Sequence, residues 1–339
     1  MRVLSLFDGI SCAKVALLRA WIDVSLYCAS ELDKYAIYVS KNNFPENVQL
    51  GDVRNIEVNS YNQLNIFGFY TNIDLLIGWS PCQDLSIAKN NRKGLDWERS
   101  GLFWEYVRIL RELKPKYWVL ENVASMPQEA RDTISKELWV EPILINAALV
   151  SAQNRKRLFW TNIAGITQPV DKGILLKDIL EVDRCEKNKS NTVRVSGRGS
   201  GAWDKHNRDS YIVQKPRGFN KWWEHHDKAP TLSANSWEQN NKLTIRLWHI
   251  GKGSQAERIY SPEWKSVTLS ANWGGWWAKT WLYDVDKIVR KLTPIECERL
   301  QCLPDNYTAW ISDTQRYKCL WNAFNVDVVT HILSFIPKQ

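Results

Sequence analysis

Over the first 170 residues, apolar and polar positions alternate between a strand-like and a helix-like period. An apolar run at 3–7 is closed by Asp8-Gly9 and followed by a helical stretch over 13–20. A second pair follows, with a strand at 26–30 and a helix starting at about Asp33. A buried-strand pattern at 74–78 leads through a polar stretch ending at Ser100 to a helix at 102–113 and a strand at 117–120. Strand and helix in alternation predict an α/β fold, a doubly wound and mainly parallel sheet with helices on both faces. Such sheets hold ligands at the carboxyl ends of their strands. Three polar clusters, Phe7-Asp8-Gly9, Ser80-Pro81-Cys82-Gln83 and Glu121-Asn122-Val123, each follow a predicted strand and should face one cleft.

From residue 171 to 282 the texture changes to short segments rich in Ser, Asn, Trp, Lys and Arg with little helical periodicity, which predicts a second, smaller lobe inserted after a catalytic domain at 1–170. It contains an echo, Thr231-Leu-Ser-Ala-Asn235 and Thr268-Leu-Ser-Ala-Asn272, that reads as two related hairpins. Helical pattern returns in 283–339. There Thr293 with Glu296 three residues on forms a capping signature, and an amphipathic helix at about 326–335 is expected to pack back on the first lobe.

Composition narrows the class. Hydrophobic residues make up 44% and charged residues 24%, the balance of a soluble globular protein. No apolar run approaches the roughly 20 residues of a membrane span, and the strand-like start does not read as a signal peptide, so a cytoplasmic protein is expected. Seven cysteines without a Cys-x-x-Cys pair predict reduced thiols rather than a disulfide framework, and no metal site. A net charge of +8 and a pI near 9.0 suit a polyanionic partner, though charge alone fits any basic enzyme equally well.

The chemistry centres on Cys82, a thiol in a polar loop after a strand, where a thiolate can serve as nucleophile. Taken singly, Glu121, Asp8 and Asp52 read as helix caps and Arg155 and Arg157 as a solvated charge run. The ordered set changes this. Pro81-Cys82-Gln83, Glu121-Asn122-Val123 and Gln153-Asn154-Arg155-Lys156-Arg157, after the start Leu6-Phe7-Asp8-Gly9-Ile10-Ser11, resemble a DNA (cytosine-5)-methyltransferase over nearly the whole chain. The carboxy-terminal blocks, Arg290-Lys-Leu-Thr293, Arg299-Leu-Gln-Cys302-Leu-Pro304 and Asn322 through Val326, fit the same family.

That resemblance implies a Rossmann-like S-adenosylmethionine-dependent methyltransferase fold carrying a target-recognition lobe. It implies S-adenosylmethionine as cofactor, held by Phe7, Asp8, Gly9, Ile10, Ser11, Glu31, Leu32, Asp52, Val53, Pro81, Asn322 and Val326. Glu31 matches the ribose-binding acid and Asp52 the residue that reads the adenine amino group. Cytosine C5 is a poor nucleophile, so Cys82 would add at C6, Glu121 would serve N3 and the exocyclic amine, and Arg157 would face O2 with Arg155 bracing the loop or contacting phosphate. The reaction needs a base flipped out of duplex DNA, under a lid at 83–100 that carries Gln83, Ser86, Lys89, Arg92, Lys93 and Arg99. Arg217, Asn220, Lys221 and Asn241 are candidate base or phosphate contacts. Double-stranded DNA and a cognate restriction endonuclease are the expected partners of a monomeric enzyme of restriction–modification or phage protection. Methylation of tRNA cytosine and a catalytically dead DNA-binding homologue stay open as alternatives.

Glycine use is odd: 19 Trp against 16 Gly, where average usage of about 7% would give roughly 24 glycines. Trp21 and Trp139 follow helical stretches at the position that favours left-handed backbone, and Trp79 and Trp321 stand where the family usually has glycine. UGA codons read as tryptophan in place of glycine would explain the pattern. Trp104, Trp118 and Trp160 read as ordinary aromatic core.

Overall fold

The computed structural model describes residues 1–79, 101–181, 246–249, 258–263, 265–266, 282–285 and 288–337. Cys82, the lid residues 83–100, Arg217, Asn220, Lys221, Asn241 and both copies of the pentapeptide lie outside the described residues.

The chain begins with β1 (Arg2–Leu6), α1 (Cys12–Arg19), β2 (Leu26–Ser30), α2 (Lys34–Asn43) and β3 (Val48–Gln49). A short hairpin, β4 (Leu64–Ile66) with β5 (Phe69–Thr71), precedes β6 (Leu75–Trp79). Then come α3 (Leu102–Leu113), β7 (Tyr117–Val123), α4 (Gln128–Leu138), β8 (Ile143–Asn146) and β9 (Lys156–Thr161). Seven of these strands form one sheet in the order β3-β2-β1-β6-β7-β9-β8. The pairs from β3 to β7 are parallel, whereas β9 runs antiparallel to both β7 and β8. The sequence thus predicts the parallel body correctly, and β9 enters it antiparallel, between β7 and the edge strand β8.

Side chains alternate across this sheet with period two, so each strand feeds two cores. Val3, Leu75, Ile77 and Val119 face one, against the buried side of α1. Leu4, Leu6, Leu76 and Leu120 face the other, against Phe103, Tyr106 and Ile109 of α3 and Ile134 of α4. Each fully buried aliphatic side chain contributes about 1.5–3 kcal/mol, so this double burial is what fixes the strand register. Trp160 and Trp118 are core residues as expected, but Trp104 is not: it is 41% exposed on α3, its ring edge-to-face with that of Phe103. β7 also runs to Val123 rather than ending at 120, because its last three residues pair with β9.

A second sheet holds β10 (Arg246–His249), β11 (Arg258–Tyr260), β12 (Leu282–Val285) and β13 (Ile288–Lys291) in that order. β12 and β13 carry it past residue 282. It is tied to the first lobe through Ser266, whose N–H donates to the Ala152 carbonyl at 2.7 Å, and through the buried Lys265 ammonium, which donates to the carbonyls of Ser151 and Ile174.

Three helices close the chain: α5 (Pro294–Leu300), α6 (Asp313–Asn322) and α7 (Val326–Leu333). α5 starts as its sequence predicts. The Thr293 hydroxyl accepts from the Glu296 N–H, the Glu296 carboxylate accepts from the Thr293 N–H, and Pro294 fills the first turn. Thr293→Ala removes one half of this box, and a loss of about 1 kcal/mol in urea unfolding is expected. α7 packs across α1, with Arg19 and Lys172 both paired to Asp327 at 2.7 and 2.8 Å. Among the described residues no helix is long and apolar enough to cross a membrane.

Candidate active site

The cleft lies at the carboxyl ends of β1, β2, β6 and β7, where the strand order reverses between β1 and β6. Its floor is the turn after β1. Phe7 and Gly9 both take left-handed backbone, with φ of 56° and 60°. The Gly9 N–H donates to Glu31 at 2.8 Å, and the other oxygen of that carboxylate accepts from the N–H groups of Leu32 and Asp33, each at 2.8 Å. Glu31 is therefore held in one orientation at the end of β2, with lone pairs left for a diol. The Leu32 side chain is exposed.

Four of the proposed cofactor residues have their side chains turned into the protein. Ile10, Ser11, Val53 and Val326 are buried, so any contact they make to a ligand comes through backbone, and the Val326 N–H is already given to the Gln301 carbonyl. Asp8 is also buried. Its carboxylate accepts from the Tyr27 and Ser11 hydroxyls, each at 2.5 Å, and so braces the turn from beneath. Burial pushes its carboxyl up to about 6, against the pull of those hydroxyl donors. A raised carboxyl in the folded state gives stability that is complete below the unfolded value near 4 and lost as pH rises through about 6. Asp8→Asn is expected to flatten that dependence, which amounts to about 3 kcal/mol between the two limits, in urea titrations from pH 4 to 7.

Asp52 behaves as the capping residue that its sequence context allows. It accepts from the Arg54 N–H at 3.0 Å and pairs with the Arg54 guanidinium at 2.7 Å, which holds the carboxyl below its usual range. It stands beside the cleft because Ser30, at the end of β2, donates its hydroxyl to the carbonyl of the preceding Gly51 at 2.7 Å. Opposite the Gly9 turn stands Trp79, with a ring carbon 4.0 Å from where a Cβ on Gly9 would sit and its ring edge-on to Phe324.

One strand further on, register creates the reactive pair. Val123 lies opposite Arg157 and Glu121 opposite Phe159, so Glu121 and Arg157 are diagonal neighbours on one face of the β7–β9 ladder. Arg157 Nε lies 3.1 Å from the Glu121 carboxylate. Glu121 is buried, which raises its carboxyl, while Arg157 and then Arg155 pull it back down. Such a group can hold a proton at a higher pH than an exposed glutamate and still be kept ionised by its neighbour when the proton leaves. The remaining lip of this spot is a small cavity lined by Glu121, Arg155, Arg157, Phe159, Asn325 and Val328.

Arg155 has the bracing role. It is buried, and its guanidinium donates to the carbonyls of Trp321 and Ala323 at 3.4 and 3.0 Å, tying the strand that carries Arg157 to the loop before α7. Asn325 was not expected. It caps α7 by accepting from Val328, and its amide donates to the Leu300 carbonyl and the Ser151 hydroxyl at 3.0 and 3.2 Å. An asparagine directly before an apolar helix was the signal for it. Asn322 ends α6 on the same side.

Of the predicted constellation, Glu121 meets Arg157 and Glu31 meets the Gly9 turn; Pro81 and Cys82 lie outside the described residues. Glu31, Asp52 and the glycine turn form a polar set that suits an adenosine moiety, and the ring of Trp79 borders it.

The sequence pattern that defines the family described as C-5 cytosine-specific DNA methylase matches residues 1–338. The chain is 30% identical over 345 residues to the Type II methyltransferase M.HhaI of Haemophilus parahaemolyticus, covering 98% of this chain and 93% of that one. It is 33% identical over 210 residues to the orphan methyltransferase M.SPRI of Bacillus phage SPR, covering 58% of this chain and 44% of that one. The solved structure of S. pombe Dnmt2 methyltransferase superposes with a TM-score of 0.63 at 16% identity over 98% of this chain and 97% of that one, a likeness of fold.

Proposed function

The chain belongs to the family of C-5 cytosine-specific DNA methylases, which use S-adenosylmethionine, and from that premise we propose that it methylates C5 of a flipped cytosine in duplex DNA through a covalent adduct on Cys82. The buried ion pair of Glu121 and Arg157 at the carboxyl end of the sheet carries the reading. Chain geometry supports the third member: Cys82 is three residues beyond Trp79, which lies opposite Glu121 in the ladder, so the thiol-bearing residue is within about 11 Å of Trp79 along the chain.

In this scheme Glu31 and Asp52 hold the ribose and adenine of the cofactor, and the Gly9 turn lets the backbone approach it. Bound there, the cofactor supplies an electrophilic methyl group. Cys82, as thiolate, adds to C6 of the base, and electron density moves to C5. Glu121 gives a hydrogen bond or proton at N3, and Arg157 offers N–H donors to the charge growing on O2. After the methyl group is in place, a base removes the C5 proton and the Cys82–C6 bond breaks, returning the thiolate. Arg155 touches no substrate; it positions β9.

Residues 1–170 and the helices after β13 form the catalytic lobe in this proposal, and the segment from 171 to the end of β13 forms the target-recognition lobe, where Arg217, Asn220, Lys221 and Asn241 meet DNA. The lid residues Gln83, Ser86, Lys89, Arg92 and Arg99 close over the base. The enzyme acts as a monomer in the cytoplasm, on host or phage DNA, with a cognate restriction endonuclease as partner where it serves restriction–modification. Incorporation of a labelled methyl group into duplex DNA and not into tRNA, followed by bisulfite sequencing, tests the reading. Label in tRNA alone, or in neither, would overturn it.

A further inference from the structure

Two helices of the large sheet end in the same way, and tryptophan stands at the critical residue of both. After α1, the Ile22 N–H reaches back to the Leu17 carbonyl and the Trp21 N–H to that of Leu18, each at 3.1 Å. This pair of bonds requires left-handed backbone at the residue between, and Trp21 has φ 58°. After α4 the Val140 N–H reaches the Ser135 carbonyl at 3.3 Å, and Trp139 has φ 57°. In that region the Cβ of an L-residue crowds the following carbonyl, and glycine alone escapes the cost.

A large ring can offset such strain by burying itself, but these two do not. Trp21 is 85% exposed and Trp139 is 90% exposed. The contrast with Trp160 is sharp, since that ring is wholly buried and donates its Nε1–H to the Ser135 hydroxyl at 3.0 Å. Among the described residues, Trp118 and Trp160 pack in the core and Trp104 and Trp310 are exposed on ordinary backbone, whereas Trp21 and Trp139 combine exposure with left-handed backbone. Trp79 adds a third circumstance: its half-buried ring borders the Gly9 turn, which Glu31 accepts from, and so occupies space beside the cleft. Its neighbour Gly78 shows what a real glycine does here, because a Cβ on it would lie 3.1 Å from the Leu6 carbonyl oxygen.

We propose that residues 21, 79 and 139 are glycine in the polypeptide made by the cell that carries this gene, encoded by UGA codons which that cell reads as glycine, and that glycine at 79 opens the cofactor cleft beside Gly9. UGA lies one base from the tryptophan codon UGG and one base from the glycine codon GGA, so translation under another code writes tryptophan at these glycine positions. Trp321, inside α6, bears neither mark of strain nor of exposure.

The codons decide first: UGA at all three positions is expected, and UGG at any of them overturns the proposal. Peptide masses from the protein isolated from its own cells should show glycine at 21, 79 and 139; tryptophan there overturns it equally. A physical arm runs beside these. Replacing Trp21 and Trp139 together by glycine should raise the thermal unfolding midpoint by about 5 °C. Trp79→Gly should tighten binding of S-adenosylmethionine, followed by calorimetry without DNA, by about tenfold or more. An unchanged midpoint together with unchanged cofactor affinity would sink the structural basis of the idea. The statement about residue 79 rests on the proposed cofactor cleft, but none of these measurements needs methyl transfer. A glycine-79 chain that binds the cofactor tightly and leaves DNA unmethylated would count against the proposed function while supporting this inference.

Discussion

Glu121→Gln is expected to lower the turnover rate of methyl transfer by about 10²–10⁴ while leaving the protein folded. Gln matches Glu in shape, and its carbonyl can still accept from Arg157, so the ladder diagonal between β7 and β9 survives. What is lost is the proton. Burial raises the Glu121 carboxyl, so the wild-type acid form extends to higher pH than an exposed glutamate would allow, and the rate should fall as pH rises through that raised value. Gln has no such titration. The variant should therefore lose both the rate and its pH dependence, with DNA affinity close to unchanged. A variant with wild-type turnover would remove Glu121 from the reaction; one that melts far below wild type would show a structural role instead.

Cys82→Ala should be more severe still, a loss on the order of 10⁴ or more, because in the proposed scheme the Cys82 thiolate makes the bond to C6. The informative readout is covalent. Duplex DNA with 5-fluorocytosine at the target should trap the wild-type chain as a band that survives denaturing electrophoresis, because the C5 fluorine cannot leave as a proton does. Cys82→Ala should bind that duplex and give no such band. Persistence of the band in Cys82→Ala would move the nucleophile elsewhere, and Arg157→Lys offers a milder companion, since Lys keeps the charge but not the fork of donors facing O2.

The parts of the fold visible in the sequence were those whose pattern is local. The apolar spacing of α3 marks its bounds without help, and the Thr293–Glu296 signature marks the start of α5 because both halves of the cap lie within one turn. Glu121 and Asn122 are polar and so were left outside a strand, yet they continue β7, because Glu121 is paired across the sheet. No spacing rule brings Glu121 to Arg157: their meeting depends on the register of an antiparallel strand pair inside the sheet, which the segments 143–146 and 156–161 do not announce. The resemblance supplied that pair, and the structure supplied its reason. Asp8 went the other way. Its place in a motif pointed to the cofactor, whereas Tyr27 and Ser11 hold its carboxylate beneath the turn. Trp104 misled because an aromatic residue in an apolar helix is usually buried, and this one lies at the helix start on the water side.

α1 and α7, far apart in the chain, seal one another. Thr330 of α7 donates to the Ala16 carbonyl, Arg19 of α1 reaches Asp327, and the Tyr307 hydroxyl donates to the carbonyl of Ile10. Without those residues the side of α1 that α7 covers stands bare, and Arg155 lacks the carbonyls at 321 and 323 that set β9. Domains can otherwise fold as they are synthesised. A chain cut short of α7 is left with an open hydrophobic flank on α1 for chaperones or proteases to find.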